Sequence, residues 1–152
     1  MTTRERFAAD LKEAIKARDT KRISTLRLIT AAIKDRDIAA RTEDNADGVG
    51  DAEILAILAK MIRQRQESAR AYEEGGRLDL ADEERQEIAI ILDYLPRQMS
   101  ETEVEKAVAA AIAETGASSI RDMGRVMAML KARHTGQMDF ARVGATIKHA
   151  FR

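Results

Sequence analysis

The side chains able to do chemistry in this chain are few. Its two histidines, His134 and His149, lie in a basic C-terminal stretch, with Asp139 the one carboxylate between them. A transition-metal site needs imidazoles grouped with carboxylates or thiolates. There is no cysteine, so no metal and no cofactor is expected. No Glu-x-x-His pair of the di-iron bundles occurs. The chain also has no phosphate-cradling glycine loop and no strained nucleophile elbow. Read locally, the residues describe a binding or interaction module with no catalytic group to name.

Two charged residues stand out by position. Arg65 falls inside the apolar stripe of one helical segment, and Glu84 does the same in the next. If the two segments form an antiparallel hairpin about Gly75-Gly76, the two lie at similar distances from the turn. An Arg65–Glu84 ion pair is expected, with Glu87 the competing acceptor. Removing one partner of a buried pair costs about 3–5 kcal/mol.

The stretch DMGRVMAMLKARHTGQMD (122–139) combines apolar spacing with basic residues. Met123, Val126, Met127 and Leu130 repeat with helical period, as do Phe140, Val143, Ile147 and Phe151 further on. Gly124 and Gly144 sit on or beside these stripes. A glycine inside a helix costs about 1 kcal/mol against alanine, so the pair predicts closely crossing helices. The methionine-rich face is alternatively a groove for a partner peptide. Arg121 and Arg125 lie opposite the first stripe, and Arg142 and His149 opposite the second. Lys131, Arg133 and His134 gather near the end of the first helix, and Lys148 lies near the end of the second. These eight form either a compensated pair of helix ends or a phosphate-contacting surface.

The elements that must position these residues are all helical. No segment alternates with period two, and aromatic or β-branched clusters are absent. Helices are expected over about Thr3–Arg18, Thr20–Arg41, Asp51–Glu74 and from Asp79 to Leu95, with Asp51 and Asp79 as caps. Within the second, Leu28 and Ile38 fall off the main stripe, predicting contact with neighbours on more than one side. The acidic, glycine-containing segment 42–50 reads as a loop. Pro96 stops the fourth helix and marks a boundary between domains 1–95 and 96–152. Ser100 and Glu103 have the spacing of a capping box. They open a fifth helix that Gly116 ends, followed by one from Ser118 or Ser119 to about Ala132 and a last one from Asp139. The expected fold is all-α, four helices followed by a three-helix bundle.

Composition agrees with a folded chain: 45% of the residues are hydrophobic and 34% charged. No apolar run is long enough for a membrane span, and the lack of cysteine suits a reducing cytoplasm. The net charge of zero hides alternation. Residues 1–41 hold 11 Lys/Arg against 6 Asp/Glu, residues 42–95 hold 6 against 14, and residues 119–152 hold 7 against 2. The acidic segment either pairs with the basic ones or leaves them available.

LKEAIKARDTKRISTLRLITAAIKDRDIAAR, and RQRQESARAYEEGGRLDLADEERQEIAIILDYLPRQMS with its Arg65, Tyr72, Gly76-Arg77, Glu84, Glu87 and Tyr94-Leu95-Pro96, resemble the bacterial YqeY family over essentially the whole chain. DMGRVMAMLKARHTGQMDFARVGATIKHAF resembles the tail shared with GatB, a subunit of the tRNA-dependent amidotransferase. The resemblance implies an all-helical two-domain fold and an association with glutamine-dependent carbon–nitrogen ligation. It also implies tRNA binding through the last three helices, at Gly124, Lys131, Gly136 and their neighbours. It implies no catalytic cradle, since that part of GatB has no counterpart here. Gln137 stands where the family often has a basic residue. The alternative is an adaptor that docks a partner protein through its helical faces.

Overall fold

A computed structural model describes residues 2–41 and 48–151. Most of the expected loop 42–50, namely 42–47, lies outside the described residues. Among the described residues there are seven α-helices and no strand, so the chain is all-α. They are α1 (Thr3–Ala17), α2 (Thr20–Arg41), α3 (Asp51–Glu74), α4 (Leu78–Leu92), α5 (Glu101–Thr115), α6 (Met123–Arg133) and α7 (Phe140–Ala150). A short 3-10 turn, Ile120–Asp122, precedes α6.

Local chemistry explains most of the ends. Thr2 and Glu5 close a capping box on α1, and Ser100 and Glu103 close one on α5. Each box satisfies backbone donors that the first turn of a helix leaves unpaired. Gly116 takes the left-handed conformation after α5. Arg18 does so after α1 without being a glycine, at φ 55°. Asp19 then accepts from the Arg22 N–H at 3.1 Å, stapling the start of α2.

Three expected ends are corrected. Gly50, not Asp51, is the N-cap of α3, and Asp51 sits in its first turn, where a carboxylate favours the positive end of the helix dipole. Asp79 is likewise inside the first turn of α4, whose N-cap is Arg77. α4 stops at Leu92, because the backbone tightens: Asp93, Tyr94 and Leu95 donate to Ile90, Ile91 and Leu92, three residues back.

The chain divides into two compact units, Met1–Leu95 and Pro96–Arg152. The core of the first contains Phe7, Leu26, Ile29, Ile54, Leu58 and Ile91, all fully buried. Tyr94 joins them, its ring 4.6 Å from that of Phe7. Thr25 is buried among them, its hydroxyl donating to the Lys21 carbonyl. Leu28 and Ile38 do not meet neighbours as expected. They are 47% and 52% exposed, although α2 packs against α1, α3 and α4.

In the second unit, Val126 and Leu130 of α6 and Val143 and Ile147 of α7 close on Val108 and Ala111 of α5. The two glycines of this unit differ. A Cβ on Gly144 would lie 3.1 Å from the Met123 terminal methyl, so α7 passes close to α6 there. A Cβ on Gly124 would meet nothing within 4 Å. Gly124 is exposed, and its expected role in close helix crossing is withdrawn. Gly124→Ala should therefore stabilise the protein by about 0.5–1 kcal/mol through helix propensity and a less free unfolded chain. Gly144→Ala should gain less, because Met123 has to give way. Thermal unfolding of the two variants beside the parent checks the order.

Candidate nucleic-acid interface

The eight basic residues proposed from the sequence divide once their partners are known. Arg125 sits on the outer face of α6 and pairs with Asp122 at 2.7 Å, also donating to the Thr115 carbonyl. Arg133 reaches across to Glu114 of α5. Arg142 lies 3.6 Å from Asp139, one turn back. Surface pairs such as these stabilise by only about 0–1 kcal/mol, but each lowers the net charge its cation presents. Arg121, Lys131, Lys148 and His149 are exposed and form no ion pair with any described residue. The spacing that puts Arg121 outside the α6 stripe and His149 outside the α7 stripe places them on different helices. The eight thus comprise three cations held by carboxylates and four exposed ones without a described partner, with His134 in the turn.

His134 stands apart from both groups. It is half-buried in the turn between α6 and α7, with Nδ1 3.4 Å from the Gln137 side-chain oxygen. That turn is fixed from outside its own sequence. Gln98 donates to the Gly136 carbonyl at 2.7 Å and to the Pro96 carbonyl at 2.9 Å. The Met99 N–H donates to the Gln137 carbonyl at 3.0 Å. Gly136 is buried with φ +76°, a conformation that excludes most side chains. Gln98 was not singled out from the sequence, since a lone polar residue after a proline carries no periodic signal. It couples the entry strap of this unit to the turn that carries His134. Beside it, Arg97 grips Glu103 through two bonds of 3.1 and 2.7 Å. That grip, with help from the Ser100 backbone, holds the Glu103 carboxyl down to about 2.

The first unit carries its own charged groups. Arg65 meets Glu87 at 2.7 Å, not Glu84, and also donates to the Met61 carbonyl. The expected Arg65–Glu84 pair is thus replaced by its competitor. Glu87 lies one helical turn beyond Glu84 from the turn at Gly75-Gly76, which sets the hairpin register. The other Glu87 oxygen lies 3.3 Å from Lys21. At the far end of α4, Tyr94 donates to Asp10 at 2.5 Å while Arg6 stacks on its ring, 4.5 Å from the centroid. Burial first, and then the Asp10 carboxylate, push the Tyr94 hydroxyl up to about 12. Near the N-terminus, Arg4 makes two 2.8 Å bonds to Asp37 and one to the Val49 carbonyl. Asp37 also accepts from the Val49 N–H. Arg4 first, and then that N–H, hold Asp37 down to about 2.

These features define a class: an all-helical protein of two units whose charged side chains mostly hold one another, with no group of metal-ligating side chains among the described residues. The chain belongs to the YqeY family. The family model, described as Yqey-like protein, matches residues 4–151. Curated relatives bear the name "Altered inheritance of mitochondria protein 41, mitochondrial". The one from Vanderwaltozyma polyspora is 33% identical over 103 residues, 64% of this chain and 54% of its own. The one from Lachancea thermotolerans is 32% identical over 107 residues, 69% and 55%. A third, from Pyrenophora tritici-repentis, is 27% identical over 136 residues, 84% and 71%. The chain spans about half the length of the first two. No helix among the described residues is long and apolar enough to cross a membrane.

Two outcomes follow from the charged groups. The Arg65 and Glu87 side chains are 14% and 18% exposed, so Arg65→Ala or Glu87→Ala should cost about 2–3 kcal/mol, somewhat below the loss for a fully buried pair. Glu84→Ala should stay within about 0.5 kcal/mol. Urea unfolding of the three variants separates them. The Asp37 carboxyl is lower in the folded protein than its ordinary 3.8. Its contribution is therefore full above about pH 4 and is lost as the pH falls toward 2. Asp37→Asn should remove that part of the acid dependence, seen as a smaller difference between unfolding midpoints at pH 5 and pH 2.5.

Proposed function

We propose that this protein is a cytoplasmic tRNA-binding accessory protein, linked to glutamine-dependent amide transfer on tRNA and carrying no catalytic cradle of its own. The observation that carries the reading is the set of exposed cations in the C-terminal unit, Arg121, Lys131, Lys148 and His149, which no described carboxylate neutralises. The aromatic rings of this unit, Phe140 and Phe151, pack against its core, so phosphate and shape contacts carry the binding. Likeness of this unit to the tail of an amidotransferase subunit, and membership of the YqeY family, support the same substrate. Arg125, Arg133 and Arg142 contribute less, because binding a phosphate means giving up a carboxylate.

The test is a titration with uncharged tRNA at several salt concentrations. Three or four phosphate contacts give a log–log slope of about −3, at about −0.9 per contact. Lys131→Glu together with Lys148→Glu should weaken binding at low salt and flatten the slope by about 2. Arg125→Glu should do less than either lysine change. A salt-independent affinity, or one indifferent to both lysines, would sink the proposal.

A further inference from the structure

The outer face of α2 is unusual among the helices of the first unit. Leu28, Ala31 and Ile38 lie along it, and all three are exposed. Ser24 and Asp35 complete the line, also exposed, so that five residues follow one another at alternating steps of four and three. This is the seam spacing that keeps one helix face against another at a shallow crossing angle. Along one edge of the seam run Arg27, Lys34 and Arg41 at steps of seven, all exposed. Arg27 and Lys34 form no ion pair with a described residue, although many cations of this unit do. The helix is 22 residues long, which is about 33 Å of rigid surface.

We infer that the outer face of α2 is a docking surface for an amphipathic helix of a partner protein with carboxylates along one edge. Charge complementarity selects the occupant: acids spaced by seven meet Arg27, Lys34 and Arg41, while apolar residues cover Leu28, Ala31 and Ile38. A donor at the centre of the partner helix meets Asp35 and fixes its register, the role a lone polar seam residue has in coiled coils. A phosphate backbone would satisfy the cations yet leave Leu28 and Ile38 in water, so the apolar pair argues for a protein. The surface belongs to the first unit and does not depend on how the C-terminal unit binds.

The test uses two synthetic helical peptides of about 21 residues with leucines at the seam positions. One carries glutamates on the flanks, the other lysines in their place. With isotope-labelled full-length protein, the glutamate peptide should shift amide signals within 24–41, saturably. It should bind at least tenfold tighter than the lysine peptide. Arg27→Glu with Lys34→Glu should reverse that preference, a charge swap that nonspecific stickiness does not give. Ile38→Asp should abolish binding, with an unchanged circular dichroism spectrum because the residue is exposed. Equal affinities for the two peptides, or shifts on other helices, would overturn the inference. So would a protein dimer that Ile38→Asp dissociates, since a second copy would then be the occupant.

Discussion

Glu87 is the point at which the first unit is tied together. Its two oxygens face Arg65 of α3 and Lys21 of α2 while it stands on α4. One carboxylate thus fixes the register of the α3–α4 hairpin and the approach of α2 to it. These pairs are largely shielded from water. They add little net stability over an apolar replacement, but they penalise any arrangement that leaves one member unpaired. Apolar contacts are non-directional and tolerate more than one register. The carboxylate selects one.

A second tie works at the same end as the chain's single proline. Tyr94 combines a ring packed on Phe7 with a hydroxyl on Asp10 and a cation over its face from Arg6. Three properties of one side chain are used at once, and all reach back to α1, more than eighty residues earlier. In a chain with only five aromatic residues, this is where the first and last helices of the unit are fastened. The tightened turn after Leu92 aims the ring inward, and Pro96 then prevents the helix from resuming.

The all-helical class and several helix ends were legible because their causes are local. A capping box, a left-handed glycine and a period of 3.6 each occupy a few consecutive residues. Ser100, Glu103 and Gly116 were readable for that reason. The acceptor of Arg65 was not, because hairpin register depends on where the turn begins, and one helical turn separates Glu84 from Glu87. Gly124 misled because helix spacing tells which face a residue lies on but not whether a neighbour passes there. Leu28 and Ile38 misled in the same way. The partners of the basic tail were only partly readable: Asp122 and Asp139 are a turn from Arg125 and Arg142, whereas Glu114 is nineteen residues from Arg133 and comes together with it only when α5 and α6 pack.

The alternation of charge along the chain has a structural meaning. In the first unit, acids that come late in sequence meet bases that come early: Arg22 with Asp93, Lys21 with Glu87, Arg36 with Glu53. Those pairings involve the sides of α2 that approach other helices. Arg27 and Lys34 form no ion pair with a described residue. In the second unit Arg133 draws on Glu114 of α5, while Arg121, Lys131, Lys148 and His149 form no ion pair with a described residue. In the first unit several ion pairs thus bridge helices, whereas in the second Arg133–Glu114 bridges two helices and Arg125–Asp122 and Arg142–Asp139 are local. Exposed cations without a described ion-pair partner include Arg27 and Lys34 on α2 and Lys131 and Lys148 on α6 and α7. A protein with a net charge of zero can in this way present local basic surfaces wherever cations without a carboxylate partner share a helix face.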